Sequence, residues 1–490
     1  MSIDNEHLLL DSPRSSYATA AQSCAPLLRY LSGTDSSEGQ RLYANFTLFC
    51  LLFSVSHATV DAVLAYATAE LGSEIGSDAG FALYIVYTFS ALLLAKPAVR
   101  TIGPKYGVAF GLCCLLLYVG AFLLALMMPA QAFGVFVSGA AIGGVGAGVL
   151  WTSQGEYFSV NAIKFAKASN VSKSIAITNF ASVFAVLYLS LETAFKLSVT
   201  IIFLLLGRSS SWRLVVFGGY TAFSFAAAAT FVAFIEDLNE EDIDYGFKIL
   251  RRDFSSQDIR GVLADVSAVY RALLSVRRLQ LMVPYQVCFG LSAGFMGYYV
   301  NSFIVARFVG DGYIGVLSSL STFSAVLLAM PYAALSNSFR CGKYIVMMTG
   351  GLCFLLTSSI LLVLRDEQLS GFATIVLYYL IYGAARGAWE STNKAVISEY
   401  FPRNEDRDVA FASVYFTSGL AGACGYYFYK YMERTELVLL NSCVALVALV
   451  CYHKSSQEQL AAMPLASDET FAFSDDDDAI DLQNANNNQI

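Results

Sequence analysis

LYIVYTFSALLLAKPAVRTIGPKYGVAFG, residues 83–111, decides how this chain is read. An apolar run carries no charge until Lys96, a short basic segment follows as far as Lys105, and a second apolar run starts directly after it. Each run belongs to a stretch of about 20 apolar residues, the length that crosses the hydrocarbon core of a bilayer. Two crossings joined by a basic turn make a membrane hairpin, and the basic turn favours the cytoplasmic side.

The same pattern repeats outward in both directions. Apolar runs fall at 42–70, 79–100, 106–128, 132–157, 175–206 and 213–235, then at 281–308, 312–335, 343–364, 370–398, 407–430 and 435–453. A charged segment from Glu236 to Leu279 separates the two sets. Composition agrees: 56% of residues are hydrophobic, 14% are charged and mean hydropathy is +0.57. A soluble domain carries about 25% charged residues. The expected fold is therefore an all-α membrane protein of about twelve transmembrane helices in two six-helix halves.

The layout that follows has five parts. Residues 1–41 read as a disordered cytosolic tail, 42–235 as the first six-helix bundle and 236–279 as a cytosolic linker. Residues 280–453 read as the second bundle and 454–490 as an acidic, Asn-rich disordered tail, with Asp475 to Asp478 in a row. The linker stretch from Asp258, DIRGVLADVSAVYRALLSVRRLQ, has helical apolar spacing and reads as an amphipathic surface helix, either a clamp between the halves or a regulatory site.

Loop charge orients the chain. With both termini in the cytosol, the opposite loops hold only six of the 30 Lys and Arg residues: Arg208, Arg213, Arg307, Arg365, Lys430 and Arg434. Those loops are short, which argues against a surface receptor. The first 40 residues lack the pattern of a cleaved signal peptide. Ten cysteines show neither a disulfide framework nor metal-ligand spacing. No metal, cofactor or nucleic-acid partner is expected, and nothing resembles an enzyme's nucleophile or phosphate loop.

The halves echo each other. Lys96, Pro97 and Gly103-Pro104-Lys105-Tyr106 follow the second helix; Pro331 and Arg340-Cys341-Gly342-Lys343-Tyr344 follow the eighth. Gly144 and Gly148 precede Trp151 in the fourth helix, as Gly383 and Gly387 precede Trp389 in the tenth. Transporters with a site at the seam between repeated halves are built this way.

The run 83–111, GVGAGVLWTSQGEYFS at 144–159 and GAARGAWESTNKAVISEYFP at 383–402 resemble the uncoordinated-93-like family, a branch of the major facilitator superfamily. The resemblance spans most of residues 42–453 and implies the twelve-helix fold. It also implies a range of roles: regulation of a potassium channel, escort of another membrane protein, or ion homeostasis. Glu192 and Lys196 stand where many relatives have a polar amide pair. Gly103, Pro104, Lys105 and Arg100 resemble the superfamily's conformational latch.

Charges inside the apolar runs are the candidate site, because a charge at the bilayer centre costs at least ~2.5 kcal/mol. Three helices carry such groups four residues apart, which puts both members on one face. His57 and Asp61 in the first helix read as a proton-coupling pair or as a core histidine beside a hydrated carboxylate. Glu192 and Lys196 in the fifth, and Arg386 and Glu390 in the tenth, read either as self-neutralising pairs or as cavity groups that handle an ion or anion. Gln154 near the end of the fourth helix and Gln286 in the seventh are weaker candidates.

Two readings of function follow. One is a secondary transporter of a small solute or ion by alternating access; the other is a non-transporting regulator or escort whose partner is another membrane protein. Asp4, Leu8 and Leu9 fit an acidic dileucine sorting signal of endolysosomal proteins, so the expected site is an endosomal, lysosomal or vacuolar membrane, or the plasma membrane. Sequons at Asn45 and Asn170 fall on the cytosolic side of this map and are expected to stay unused.

Overall fold

The computed structural model describes residues 37–171, 173–206, 211–238, 256–338, 341–401 and 404–462. Those residues are almost entirely helical, because a backbone in lipid must satisfy its own hydrogen bonds. The first set is α1 (Ser37–Leu71), α2 (Ser73–Leu93), α3 (Ala95–Met127), α4 (Ala132–Ser169), α5 (Lys173–Leu206) and α6 (Ser211–Phe234). A surface helix, α7 (Ser256–Ser275), leads to α8 (Arg277–Gly294), which widens into π-helical turns over Phe295–Gly310. Then come α9 (Ile314–Ser338), α10 (Gly342–Val363) and α11 (Phe372–Ala388). The last of these passes through π-helical turns at Trp389–Asn393 into α12 (Lys394–Tyr400). α13 (Asn404–Phe428) and α14 (Arg434–Ala462) finish the chain.

Among the described residues nine stretches are long and apolar enough to cross a bilayer, and one of them, Arg277–Ser336, holds two successive crossings. α11 and α13 complete the twelve. Large apolar side chains such as Leu117, Phe225, Val363, Phe372 and Val450 point outward, as a lipid-facing surface requires. Ser37 and Ala462 therefore emerge on one face, the terminal face.

The repeat is visible in how helices approach. A Cβ on Gly144 would lie 2.6 Å from the Leu83 carbonyl oxygen, and one on Gly148 would lie 2.5 Å from the Ala91 nitrogen. In the second half a Cβ on Gly383 would overlap the Ser321 carbonyl oxygen, and one on Gly387 would meet the Ala325 Cα at 3.1 Å. The same glycine spacing thus seats α4 on α2 and α11 on α9.

Some helix limits differ from the sequence reading. The fourth crossing continues past 157 to Ser169, because Val160, Ala162, Phe165 and Ala166 stay buried and Asn170 ends it in the left-handed conformation. The last crossing continues past 453, with Tyr452, Ser455 and Ser456 buried and Glu458 bonded to Arg277 at 2.8 Å. Helix also begins at Ser37, ahead of the expected 42. At Gly103 the backbone turns with φ 81°, a conformation that favours glycine, and Pro104 opens the third crossing.

Asn45 is buried and donates to the Tyr157 hydroxyl at 2.7 Å, while the Glu236 N–H donates to its carbonyl oxygen at 3.0 Å. Tyr157 in turn donates to the Glu236 carbonyl at 2.9 Å. A side chain spent in this way is no glycan acceptor. Asp4, Leu8 and Leu9 lie outside the described residues, as do the Arg100 side chain, Ser172 and residues 239–255 of the linker.

The halves meet where α2 packs on α13, α5 on α9, and α1 on the widened part of α8. Across the seam, the face away from the termini is closed. Arg213 of α6 bonds Glu70 of α1 and, at 2.5 Å, Asp311 between α8 and α9. Tyr66 accepts the Gly315 N–H at 2.6 Å, Thr200 donates to the Gly312 carbonyl at 2.7 Å, and Lys430 bonds Asp78. α7 lies across α2, α3 and α13, touching both halves.

Candidate functional site

Tyr188, Glu192 and Lys196 recur every four residues along α5, so all three share one face. That face meets α9 and, through Arg386, α11. Glu192 is fully buried, at 0% exposure. Lys196 donates to its Oε1 at 2.5 Å, and the Thr322 hydroxyl of α9 does so at 3.1 Å. Arg386 of α11 donates from Nη1 and Nη2 to the two Glu192 oxygens at 2.7 and 3.1 Å. Its remaining edge, Nε, donates to Glu390 at 2.6 Å.

The two helical pairs are therefore not separate. They join into one chain, Lys196–Glu192–Arg386–Glu390, that crosses from the first half to the second. A buried carboxylate left without partners costs several kcal/mol, and a bidentate guanidinium with a second cation offsets that cost. Two cations and two carboxylates leave the chain neutral. The π-helical turns at Trp389–Asn393 follow Arg386 within one turn, and such turns are frequent at functional sites.

His57 lies one turn along the same face of α5, through Tyr188. Its Nδ1 is 3.2 Å from Asp61 Oδ2 and 3.1 Å from the Tyr188 hydroxyl. A protonated Nδ1 donates to the Asp61 carboxylate; a bare Nδ1 accepts from Tyr188. The same geometry holds the proton in either place. Trp151 and Phe53 pack on the imidazole ring, at 5.1 and 5.9 Å between centroids.

Tyrosines surround these groups and were missed in the sequence. Tyr188 bonds His57 and stacks on Phe184, and Tyr84 of α2 stacks on Tyr426 of α13 across the seam. The available signal was a hydroxyl placed deep in an apolar run where phenylalanine suffices.

The other candidates lie apart. Gln286 is buried in a reciprocal pair with Asn393, at 3.0 and 3.1 Å, and accepts the Trp389 indole N–H at 2.8 Å. Trp389 stacks on Phe289 with centroids 3.6 Å apart. Both hydrogen-bonding ends of Gln286 are spent tying α8 to α11, so it is removed from the charged set. Gln154 sits half-buried within α4 rather than near its end, and among the described residues no bond joins it to the charges. Gly103, Pro104 and Lys105 stand at the terminal face. Lys105 is buried, with its ammonium 5.3 Å from the Tyr106 ring centre. Among the described residues no three metal-ligating side chains gather.

No family model matches the chain, and no curated protein matches it. Solved structures do. The POT family transporter PepTSo superposes with a TM-score of 0.61 at 12% identity, covering 86% of this chain and 99% of its own. The nucleoside transporter NupG gives 0.60 at 13% identity, covering 85% and 99%. The inward open xylose transporter XylE from E. coli gives 0.59 at 13%, covering 84% and 95%. At such identity the likeness shows the fold, that of major facilitator transporters, and with it a multi-pass membrane protein. The similar structures are transporters, not enzymes.

Proposed function

We propose that this chain is a secondary transporter of a small solute or ion that works by alternating access, and that it belongs with the uncoordinated-93-like branch of its superfamily. The observation that carries the reading is the bond between Glu192 and Arg386, one residue from each half, at the seam. A buried charge pair that spans two rigid bodies breaks when they rock apart, so its making and breaking can be tied to a bound solute or proton. His57, Asp61 and Tyr188 supply a protonatable group beside it. The closed face away from the termini, with Arg213, Asp311 and Lys430, corresponds to one end state of that cycle.

The proposal puts both termini in the cytosol, by loop charge, and the protein in endosomal, lysosomal or vacuolar membranes, by Asp4, Leu8 and Leu9. Exchange of labelled solutes into liposomes holding the purified protein tests it. Asp61→Asn and Arg386→Gln abolish exchange; normal exchange in both removes the site.

The self-neutralising charge chain also favours a second reading, a non-transporting regulator of an ion channel or an escort for another membrane protein, since a structural tie needs the same neutrality. Purification from native membranes with a stoichiometric polytopic partner, and no solute exchange, decides for it.

A further inference from the structure

Arg386, Lys196 and Thr322 form a socket around a carboxylate, and the carboxylate in it belongs to the protein. Both terminal nitrogens of the guanidinium, one ammonium and one hydroxyl converge on the two oxygens of Glu192. The side chain they hold is fully buried, and two of the donors are positioned by other packing: Arg386 by Glu390 one turn on, Thr322 by the α5–α9 contact. Such an arrangement is specific for the planar, two-oxygen shape of a carboxylate.

We propose that this socket takes a monovalent organic carboxylate, which replaces Glu192 on Arg386 and Lys196 as Glu192 gains a proton. The inference rests on the transporter reading and names its substrate class. Charge dictates the stoichiometry. With Glu192 ionised, the chain Lys196–Glu192–Arg386–Glu390 sums to zero. Once Glu192 takes a proton, the chain carries one positive charge, and one monoanion restores neutrality. A cation deepens the imbalance and a dianion overshoots it. One proton and one carboxylate then travel together, with no net charge moved.

The groups that face Glu192 agree with this assignment. α5 itself offers Tyr188 and Lys196, and α11 offers Tyr382, Arg386 and Glu390. α9 offers Thr322, its one tyrosine, Tyr332, being bonded to the Ala384 carbonyl; α6 offers Tyr220, bonded to Ser198; α4 offers Trp151. α1 offers His57 and Asp61, joined to the α5 face by Tyr188. The Tyr188 hydroxyl ties this last set, from α1, to the α5 face that carries Glu192.

The test uses the purified full chain, with lactate and gluconate as monocarboxylates, succinate as a dianion, and glucose and choline as neutral and cationic controls. Binding is read from tryptophan fluorescence at pH 5.5 and 7.5, and proton movement from a pH dye sealed in liposomes. The expected result is binding of a monocarboxylate at least about tenfold tighter at pH 5.5, as proton linkage requires. Its inward gradient acidifies the lumen, and a potassium ionophore leaves the rate unchanged. Glu192→Gln, an isosteric neutral side chain, binds equally at both pH values and moves no protons. Preference for choline, glucose or succinate overturns the substrate class while leaving transport standing. Loss of monocarboxylate binding in a folded Glu192→Gln protein overturns the socket. Absence of exchange for every solute, in wild-type protein, overturns the transporter reading itself. If Glu192→Gln does not fold, the pH ratio of wild-type binding decides alone.

Discussion

Arg386 and Glu192 lie 194 residues apart and meet end to end, both terminal nitrogens of one on both oxygens of the other. Removing either alone leaves a buried charge without its main partner. Arg386→Gln is expected to cost about 3–5 kcal/mol of stability. The double variant Glu192→Gln with Arg386→Gln regains part of that loss, because Glu192 is no longer left ionised without its guanidinium, although Lys196 and Glu390 still lose their partners. Thermal unfolding in detergent measures both. A double variant no more stable than Arg386→Gln alone refutes the coupling.

Gly312 faces the ring of Phe203 with no room for a further atom, beside the Arg213–Asp311 bond. Gly312→Val is expected to force the closed face apart. In a background without the exposed cysteines, a cysteine placed at Thr200 then reacts with a membrane-impermeant thiol reagent at least about tenfold faster. Unchanged reactivity means that this contact does not hold the face shut.

Tyr188→Phe removes one hydrogen bond to His57 and little else, the ring keeping its stack on Phe184. One such bond is worth about 1 kcal/mol, so exchange is expected to slow by several-fold without loss of folding. A rate equal to wild type places the proton route elsewhere.

Glycine substitutions separate packing from open space. Gly383→Val drives a side chain into the Ser321 carbonyl and is expected to abolish folded protein on size-exclusion chromatography. Gly155, with nothing within 4 Å of an added Cβ, tolerates Gly155→Ala, with a gain near 0.5–1 kcal/mol at most.

Lys430 predicts where pH does not act. Burial draws its ammonium down, but the bond to Asp78 outweighs that and raises it above its ordinary value of 10.5. A raised folded value means the contribution is complete below the unfolded value and fades only as pH rises through the folded one. The Lys430–Asp78 tie is thus constant between pH 5 and 8. Lys430→Met is expected to shift the unfolding temperature equally at both ends of that range; an unequal shift contradicts the assignment.

The helices were legible because lipid demands long apolar runs, and the paired glycines before Trp151 and Trp389 revealed the repeat. Pairing within a helix was also legible, since four-residue spacing fixes a common face. What the spacing leaves open is which helix that face meets. Nothing local in Arg386 or Glu192 specifies the other, and so two candidate self-paired units turned out to be one chain. Gln286 shows the opposite limit. A lone amide in an apolar run reads the same whether it lines a cavity or ties two helices, and only Asn393 and Trp389 decide. The end of α4 was misjudged because Asn161, Lys164 and Lys167 break the apolar run while the helix continues on its buried side.

The small triangle of Asn45, Tyr157 and Glu236 bears on synthesis. Its three members come from the start of the first helix, the fourth helix and the chain just past the sixth. All are synthesised before any crossing of the second half. The first half therefore carries its own clasp and can set its tertiary structure during translation, whereas Glu192 must wait, its charge met only by Lys196, until Arg386 arrives.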